Sequence, residues 1–492
     1  MTPTTLERSP KHIHLIGICG TAMASLAGML QGQGHRITGS DSSSYPPMSD
    51  LLAALSIPIL EPFAEQNLHP RPDLVVIGNA ISRGNPELEY LLDHRIPFTS
   101  MAALIHDEFL LGRDRLVVVG THGKTTTTSM LAWIYEVASR TDPQLAPSFL
   151  IGGVAENFGR SFAVRPTRPF LLEGDEYDTA FFDKGPKFLH YFPDSAILTH
   201  VEFDHADIYT DLAAVKTAFQ RFINLIPRRG RVVAFDGSPN VTDCVSHALC
   251  PVERYGFAPS SHWRIRNMQH HGTTTHWTLD QAGQPFAPLT LPMPGEHNAL
   301  NATAAAALAA GQGIPASAIT EALQTFQSVR RRLEVRAEID GITVIEDFAH
   351  HPTAIRETLR ALRSSYPGRR LFAVLEPRSN TLRRNVFEDD LVQSLALADH
   401  VLISSVFRSE SIPAPDRLDP EHITAKLQAL QIPAQTSPDA DAIVQTLLPQ
   451  LRPGDVVVLL SNGAFGNIYE KLPQALQAAL QAASLTASAT AQ

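Results

Sequence analysis

A lysine and a threonine stand where a glycine-containing loop meets the start of a predicted helix. The run Leu116–Val119 is apolar, the loop Gly120–Gly123 follows it, and Lys124 and Thr125 open a threonine-rich helical stretch. Backbone N–H groups of such a loop, together with the positive end of the helix dipole, bind phosphate oxygens. In this pattern the lysine contacts the outer phosphates and the hydroxyl ligates Mg²⁺. The segment therefore predicts a nucleoside triphosphate site.

The loop departs from the common G-x-x-x-x-G-K-[ST] pattern at one position, because Val118 stands where the first glycine would be. The alternative is an ordinary glycine turn before a threonine-capped helix. The apolar run, both glycines, the lysine and the hydroxyl are all in register, which favours the phosphate site. The predicted phosphate-binding residues are Gly120, Thr121, His122, Gly123, Lys124, Thr125 and Thr126.

A second apolar run delivers four carboxylates within six positions, namely Glu173, Asp175, Glu176 and Asp178. Bringing carboxylates together is unfavourable unless a cation or a basic partner is present. Mg²⁺ prefers oxygen ligands and works beside phosphates. A solvated acidic turn is the alternative, but downstream of a phosphate loop the cluster predicts a magnesium site, with Glu173 as its best ligand.

Two histidines and three carboxylates follow a third apolar run, at His200, Glu202, Asp204, His205 and Asp207. A group of this kind at a strand end could hold a second metal ion or orient a substrate. The remaining candidates are weaker. Asn298 could pair with an adenine edge or simply cap a helix, and an arginine cluster at Arg330–Arg332 could clamp a transferred phosphate or form a solvated face.

The N-terminal segment resembles a nucleotide-binding turn. Gly17 and Gly20 separate an apolar strand from a helical stretch, and Asp41 follows at the distance expected for ribose recognition. Met23 replaces the third glycine of the dinucleotide fingerprint, which disfavours a nicotinamide dehydrogenase. Another nucleotide, or a purely structural turn, remains compatible with this motif.

Short apolar strands alternate with helical stretches along almost all of the 492 residues, which predicts an α/β fold with mostly parallel sheets. The stretch Ser260–Pro292 is predicted to be irregular or antiparallel. We predict three domains, at 1–113, 114–336 and 337–492, of which the first and third are Rossmann-like and the second resembles a P-loop ATPase. In open α/β sheets of this kind ligands bind at the strand ends.

The composition narrows the class of protein further. A net charge of −10 disfavours general nucleic-acid binding, and no apolar run approaches the ~20 residues of a membrane span. The polar start, Met1–Pro10, predicts a cytoplasmic protein without a signal peptide. Cys19, Cys244 and Cys250 form no metal-type motif and predict no disulfide framework.

Taken together and in chain order, these motifs resemble the Mur ligase family, ATP-dependent enzymes that form amide bonds in bacterial peptidoglycan metabolism. The resemblance extends from about Ile13 to Leu472. The matching segments are Gly120–Thr126, Glu173–Asp178, Glu202–His205, His297–Asn301, Arg332 and Asp347–Pro352. His200 and Glu346 depart from the family pattern, which usually has Asn and Asp there.

Within the family, the chain is more similar to the branch that attaches the recycled tripeptide L-alanyl-γ-D-glutamyl-meso-diaminopimelate to UDP-N-acetylmuramate than to the branch that adds L-alanine. The segments that carry this similarity are Gly17–Thr21, Tyr45–Met48, Ile77–Ala80, Arg83–Pro86, Ala180–Asp183, Glu376–Thr381 and Ser461–Gly466. The alanine-adding members usually have a Gly-x-Gly-Gly turn and a Gln-Pro-His-Arg segment near position 376, and neither is present.

The resemblance implies an acyl-phosphate mechanism with ATP and Mg²⁺, and a monomer or weak homodimer. The implied catalytic residues are Lys124, Glu173, His205, Arg332 and His350, with Thr125, Glu173 and His205 as metal ligands. Further ATP contacts are implied for Asn298, Arg332 and Asp347. The UDP-sugar would be bound by Gly17, Gly20, Thr21, Asp41, Asn79, Ala80 and Asn85, and the peptide carboxylates by Arg378 and Asn380.

Four rival hypotheses remain at this stage. An L-alanine-adding ligase would differ in its amine substrate, and a folate-polyglutamate type ligase would lack the UDP site. A P-loop switch protein would hydrolyse nucleotide slowly and without any amine, but it does not need Glu173, His205 and Arg332. A nicotinamide oxidoreductase leaves the phosphate loop unexplained.

Overall fold

The computed structural model describes residues 9–44 and 48–490, so Met1–Arg8 and Tyr45–Pro47, which belong to two of the predictions above, lie outside the described residues. The first of three large sheets has five parallel strands in the order β3-β2-β1-β4-β5. Its strands are β1 (His12–Ile16), β2 (Arg36–Ser40), β3 (Ile59–Leu60), β4 (Leu74–Ile77) and β5 (Phe98–Ser100). The helices are α1 (Thr21–Gly32), α2 (Met48–Ala54), α3 (Pro86–Asp93) and α4 (Met101–Ile105).

The apolar strand predicted before Gly17 is β1, and it ends at Ile16. Gly17 begins a tight turn there, because its N–H donates to the Ser40 carbonyl at 2.8 Å and its own carbonyl accepts from Gly20 at 3.3 Å. Helix α1 starts immediately afterwards. The turn thus lies at the carboxyl edge of the sheet, where a doubly wound fold exposes its ligand site.

The second sheet has ten strands in the order β17-β16-β15-β14-β13-β12-β6-β9-β7-β8. Its strands are β6 (Asp114–Val119), β7 (Ser148–Ala155), β8 (Arg160–Ala163), β9 (Pro169–Glu173), β12 (Ser195–Leu198), β13 (Arg231–Phe235), β14 (Val252–Gly256), β15 (Trp263–His271), β16 (Thr274–Gln281) and β17 (Gln284–Leu291). A separate hairpin is formed by β10 (Asp178–Ala180) and β11 (Asp183–Pro186). The helices are α5 (Lys124–Ser139), α6 (Leu212–Ile223), α7 (Pro239–Val245), α8 (Glu296–Gly311) and α9 (Ala316–Gln324).

The centre of this sheet is parallel and fully buried, as expected for strands covered by helices on both faces. Strands β15, β16 and β17 pair antiparallel, which confirms the antiparallel alternative for Ser260–Pro292. Helices α5 and α8 cover one face of the parallel part. The carboxyl ends of β6, β9 and β12 therefore meet at one edge and carry the three predicted motifs.

The third sheet has six strands in the order β18-β19-β23-β20-β21-β22, with only the β18–β19 pair antiparallel. Its strands are β18 (Glu334–Ile339), β19 (Ile342–Asp347), β20 (Leu371–Leu375), β21 (His400–Ser404), β22 (Ala434–Ser437) and β23 (Val456–Leu460). The helices are α10 (Pro352–Ser365), α11 (Glu388–Leu395), α12 (Pro420–Ala429), α13 (Ala440–Leu447) and α14 (Ile468–Thr490). The α/β class with mostly parallel sheets is confirmed, while the three domain boundaries stay predictions.

We call each large sheet together with its helices a sheet layer. In the first sheet layer a buried polar cluster joins β1, β2 and α3. The Glu87 carboxylate accepts hydrogen bonds from the Ser40 hydroxyl at 2.5 Å and the Asn67 amide at 2.7 Å, and lies 3.4 Å from His14 Nε2. Burial opposes ionisation of Glu87, but these hydrogen bonds outweigh it and lower the pKa. The cluster therefore fixes α3 against the sheet with a charged carboxylate.

Replacing Glu87 with alanine is expected to destabilise this layer by about 3–5 kcal/mol, because the variant leaves buried donors without an acceptor. Hydrogen exchange of β1 and α3 peptides measures the loss directly. Since the folded pKa is lowered, the contribution is present above about pH 4.3 and declines as the pH falls through the folded pKa. Glu89→Ala, on the same helix, removes a partly exposed ion pair with Arg83, which precedes the helix, and should change exchange little. Equal effects of the two variants would contradict this account.

Among the described helices, none is both long enough and apolar enough to cross a bilayer.

Candidate active site

The phosphate loop connects β6 to the N-terminus of α5. Gly120 and Gly123 both have positive φ angles, of 135° and 80°. A Cβ atom at Gly120 would lie 2.1 Å from Thr199 Oγ1, and one at Gly123 would lie 2.5 Å from Asn301 Oδ1. The loop therefore requires glycine at both positions, and its geometry opens the helix N-terminus toward the sheet edge, where an anion is favoured.

Lys124 lies across this loop rather than in solvent. Its Nζ donates to the Gly120 carbonyl and to Glu176 Oε2, each at 2.7 Å. Burial would lower the pKa of Lys124, but the carboxylates of Glu176 and Asp175 raise it above its usual value. The loop thus contains a fixed positive charge placed for phosphate oxygens.

Thr125 and Glu173 provide oxygen ligands beside the loop. The Thr125 hydroxyl donates to Glu173 Oε1 at 2.8 Å, and the Gly152 N–H donates to Glu173 Oε2 at 2.7 Å. Burial raises the pKa of Glu173, while Lys124 and Arg332 oppose that shift. A hydroxyl and a carboxylate next to a phosphate cradle are the donor set that Mg²⁺ takes, so the residues present fit this ion.

His205 lies on the opposite side of the same acidic run. Its Nε2 is 3.4 Å from Glu176 Oε1, and ligand atoms of Asp175, Glu176 and His205 all lie within 4.8 Å of one another. Burial would lower the pKa of His205, but Glu176 and the neighbouring carboxylates raise it to about 9. The sequence analysis noted Glu176 within the acidic run without choosing it as a site residue. The structure places it between Lys124 and His205.

Arg332 and Asp347 lie where the second and third sheets meet. Asp347 accepts hydrogen bonds from the Leu333 N–H at 2.8 Å and the Ala349 N–H at 2.9 Å. Burial lowers the pKa of Arg332, and attraction to Asp347 and Glu173 opposes that shift. A cavity of about 610 Å³ lies next to Arg332, lined also by Met293. Asp347 thus orients the loop that carries Arg332 toward the predicted nucleotide site.

A second cavity, of about 310 Å³, contains His205 and His350. Nδ1 of His350 faces the Phe348 carbonyl at 2.9 Å, so it carries the proton and Nε2 is left as an acceptor. Burial lowers the pKa of His350 to about 4, which keeps the ring neutral. The cavity is lined by Tyr177, Asp204, His205, His350, Arg378, Ser379, Asn380, Thr381, Arg383, Phe407, Arg408 and Asn462.

Three arginines of this cavity come from two loops of the third sheet layer. Arg378 stacks on the Phe407 ring, with 3.8 Å from its guanidinium carbon to the ring centroid. Arg383 and Arg408 line the same wall. Sequence reasoning identified Arg378 but missed the other two, because no local motif marks them. Together they form a cationic wall suited to carboxylates.

Two predicted ligand contacts already have protein partners. The Asn380 amide donates to Asp207 Oδ2 at 2.7 Å, which ties the third sheet layer to the second. The Asn298 amide is buried and donates to the Pro294 carbonyl at 2.8 Å, at the start of α8. Their roles in substrate and nucleotide binding stay predictions, with fewer free polar atoms than the sequence analysis assumed.

The predicted UDP-binding residues all lie at the carboxyl edge of the first sheet. Gly17, Gly20 and Thr21 form the turn after β1, and Asp41 follows β2 and accepts the Cys19 N–H at 2.9 Å. Asn79 and Ala80 follow β4. Asn85 differs, since its side-chain oxygen caps α3 by accepting the N–H groups of Glu87 and Leu88 at 3.0 and 3.2 Å. Of its side-chain polar groups, the NH2 group is the one that remains to donate a hydrogen bond to a ligand.

Comparisons with known proteins agree with this arrangement. Residues 12–109 match the Mur ligase family catalytic domain, residues 170–309 the Mur ligase middle domain, and residues 331–463 the Mur ligase glutamate ligase domain. The chain is 40% identical over 469 residues, 94% of its length, to the UDP-N-acetylmuramate–L-alanyl-γ-D-glutamyl-meso-2,6-diaminoheptandioate ligase of Escherichia coli (strain K12), and covers 98% of that protein.

Two further relatives extend this similarity. The UDP-N-acetylmuramate–L-alanine ligase of Variovorax paradoxus (strain S110) is 32% identical, with 96% of each chain covered. The crystal structure of a murein peptide ligase from Psychrobacter arcticus 273-4 is 34% identical, covers 95% of this chain and 98% of its own, and superposes with a TM-score of 0.71. With three family domains in order and this identity over nearly the whole length, the chain belongs to the Mur ligase family.

Proposed function

We propose that this protein is an ATP-dependent ligase that joins L-alanyl-γ-D-glutamyl-meso-diaminopimelate to the lactyl carboxylate of UDP-N-acetylmuramate, in the recycling of peptidoglycan peptides. The observation that carries the proposal is the position of the cationic cavity beside the phosphate loop. His205 lines that cavity and also faces Glu176, whose other oxygen holds Lys124. Phosphoryl transfer and amine attack can therefore take place at adjoining sites.

In the first step a lactyl carboxylate oxygen of the sugar attacks the γ-phosphorus of ATP. The bond from that phosphorus to the bridging oxygen breaks, ADP leaves with the electron pair, and an acyl phosphate forms. Lys124 and the N–H groups at the start of α5 stabilise the charge on the transferred group, and Arg332 adds a second cation. One Mg²⁺ ion would be held by Thr125 and Glu173 and a second by His205. These ions would neutralise further negative charge on the transferred group.

In the second step the neutral amine of the tripeptide attacks the acyl carbon. The nitrogen loses its proton, inorganic phosphate leaves, and the amide remains. The leaving phosphate takes up that proton, and His350, whose Nδ1 donates to a backbone carbonyl, presents Nε2 as a hydrogen-bond acceptor that can orient the amine. Binding the amine next to the acyl phosphate supplies the proximity that amide formation needs.

We assign the carboxyl edge of the first sheet to the UDP-sugar and the 610 Å³ cavity to the nucleoside of ATP. The tripeptide carries several carboxylates, which fits the wall formed by Arg378, Arg383 and Arg408. A free L-alanine has only one carboxylate and would contact fewer of these guanidinium groups. The alternative of an L-alanine ligase, which is the name of one relative, is therefore the weaker proposal.

The deciding experiment measures phosphate release from ATP and Mg²⁺ with UDP-N-acetylmuramate, comparing the tripeptide with L-alanine. Tripeptide-dependent release with a matching UDP-muramyl-tripeptide product is the expected result. Turnover with L-alanine alone would reassign the protein to the alanine-adding reaction. Release that depends on neither amine would exclude both ligases and favour a nucleotide switch.

Replacing Arg378 with alanine is expected to raise the KM for the tripeptide about 10- to 100-fold, because a charge-assisted pair to a carboxylate is lost. The KM values for ATP and UDP-N-acetylmuramate should stay near those of the wild type. Arg360→Ala serves as the control, since Arg360 is an exposed residue of α10 that pairs with Glu357. A uniform rise in all three KM values for R378A would contradict the peptide assignment.

A further inference from the structure

One carboxylate, Glu202, connects the phosphate loop to the third sheet layer, and the mechanism above does not use it. Glu202 follows β12, and its Oε2 lies 2.9 Å from His122 Nε2 inside the loop. The Thr353 side chain, at the start of α10, lies close enough to the same carboxylate to lower its pKa. A single side chain thus contacts the nucleotide-binding loop on one side and the third sheet layer on the other.

The backbone beside Glu202 is bound firmly to the loop. The Thr121 N–H donates to the His200 carbonyl at 2.8 Å, and the Glu202 N–H donates to the Thr121 hydroxyl at 3.0 Å. The Thr199 hydroxyl donates to the His122 carbonyl at 2.6 Å. These bonds fix the Glu202 carboxylate relative to the loop, so a change in loop geometry displaces it.

The third sheet layer presents matching groups. His351 caps α10, with Nδ1 accepting the Thr353 N–H at 3.2 Å and Nε2 donating to the Phe203 carbonyl at 3.2 Å. Its ring lies 4.6 Å from the His122 ring, and its Nδ1 is 3.6 Å from Glu202 Oε2. His122, Glu202 and His351 are spaced for a metal ion, but the His351 lone pair already accepts a backbone hydrogen bond. The geometry therefore favours a hydrogen-bonded connection.

Electrostatic attraction also stabilises the contact between the Glu202 carboxylate and the neighbouring histidines. Burial opposes ionisation of Glu202, but the hydrogen bond from His122 and the nearby His351 lower its pKa to about 2. Burial lowers the pKa of His122 to about 4, so His122 donates as a neutral imidazole. The same face contains His200, whose pKa burial also lowers. One negative charge thus accepts a hydrogen bond from His122 in the loop and faces His351 of the third sheet layer.

We infer that Glu202 is a positioning residue that holds the third sheet layer in register with the phosphate loop. Domains whose interface consists of a few polar contacts usually move relative to each other. A specific contact is therefore needed to fix the position of the third sheet layer relative to the loop. His350 directly precedes His351 in the chain, and Arg332 is close enough to His350 to affect its pKa, so we expect the approach of both residues to the loop to depend on this contact. The inference rests on the proposed function for its kinetic readout but not for its structural one.

The structural test measures the distance between spin labels at Leu249→Cys and Leu430→Cys, two exposed positions on the second and third sheet layers. The native cysteines Cys19, Cys244 and Cys250 are buried, so labelling is selective. With a nonhydrolysable ATP analogue and Mg²⁺, the wild type should give one narrow distance distribution. Glu202→Ala should lose the narrow peak, and Glu202→Gln, whose amide oxygen can still accept the hydrogen bond from His122, should recover it.

The kinetic test separates positioning from damage to the loop. Glu202→Ala should lower kcat about 10²-fold, the usual cost of a misplaced catalytic group. Its dissociation constant for the ATP analogue should stay within about threefold of the wild type, because Lys124, Thr125 and Glu173 are unchanged. Thr353→Val removes the other end of the connection and should change kcat in the same direction. Asp243→Ala, an exposed partner of Lys216, is the control and should change neither readout.

Each contrary outcome is decisive. A narrow distance distribution in Glu202→Ala, or an analogue affinity that falls as far as kcat, would overturn the positioning role. If Glu202→Ala does not fold, Thr353→Val decides by the same two readouts. A wild-type enzyme without tripeptide-dependent turnover would overturn the proposed function, while the distance measurement would still decide the role of Glu202.

Discussion

Lys124→Met is expected to lower kcat about 10³-fold, because the variant removes the buried cation that stabilises the transferred phosphoryl group. Lys124 is fixed by the Gly120 carbonyl and Glu176 before any phosphate approaches, so its charge needs no reorganisation at the moment of transfer. Methionine has a similar length and keeps much of the packing, but it loses the charge together with the hydrogen bonds to Gly120 and Glu176. The measurement is phosphate release at saturating ATP, UDP-N-acetylmuramate and tripeptide.

Lys184→Met is the matched control for this prediction. Lys184 pairs with Asp178 of the same acidic segment, but its side chain is 68% exposed. Exposed ion pairs contribute little, so K184M should stay within about twofold of the wild type. A K124M enzyme that retains more than about a tenth of wild-type kcat would remove Lys124 from the transferred phosphate.

Glu173→Gln is expected to lower kcat about 10²-fold and to raise the Mg²⁺ concentration needed for half-maximal activity. The amide keeps the shape of the side chain, but its single oxygen can accept from only one of Thr125 and Gly152, and it loses the negative charge that a divalent cation requires. A titration of activity with Mg²⁺ at fixed ATP measures both effects.

Glu136→Gln controls for the loss of a carboxylate near α5. Glu136 lies on that helix and pairs with Arg165, away from the loop. The Glu136→Gln enzyme should show the same dependence of activity on Mg²⁺ concentration as the wild type. Thr125→Val provides an independent check, because it removes the other proposed ligand and should shift the titration in the same direction. An E173Q titration that overlays the wild type would contradict the magnesium assignment.

Local sequence was sufficient for the parts of the site that local backbone geometry determines. The apolar run, the two glycines and the Lys124–Thr125 pair specify a strand, a tight loop and a helix start without reference to distant residues. The acidic run at Glu173 could be placed for the same reason, since it follows a strand of the same sheet. The similarity of the whole motif series to the Mur ligases then predicted the family.

Contacts between segments that are far apart in the sequence could not be predicted from local patterns. Arg383 and Arg408 meet because β20 and β21 are parallel neighbours in the third sheet, so the loops that follow them lie side by side. The link from Asn380 to Asp207 depends on a partner that no spacing in the sequence reveals. The capping role of Asn85 differs, because its partners follow within three residues and Pro86 marks the helix start. Sequence pattern identifies the residue types that chemistry needs, but tertiary packing decides which of their atoms remain free for a ligand.

The pairing of Lys124 with Glu176 makes nucleotide binding an exchange of anions. A phosphate that approaches Lys124 must displace a carboxylate, so the affinity reflects only the difference between two ion pairs. A small anion such as inorganic phosphate gains little binding free energy from that exchange. A triphosphate with its Mg²⁺ ion gains more, because it makes several contacts at once. The site thereby discriminates by ligand charge and releases the spent phosphate readily, which keeps its own product from occupying the loop.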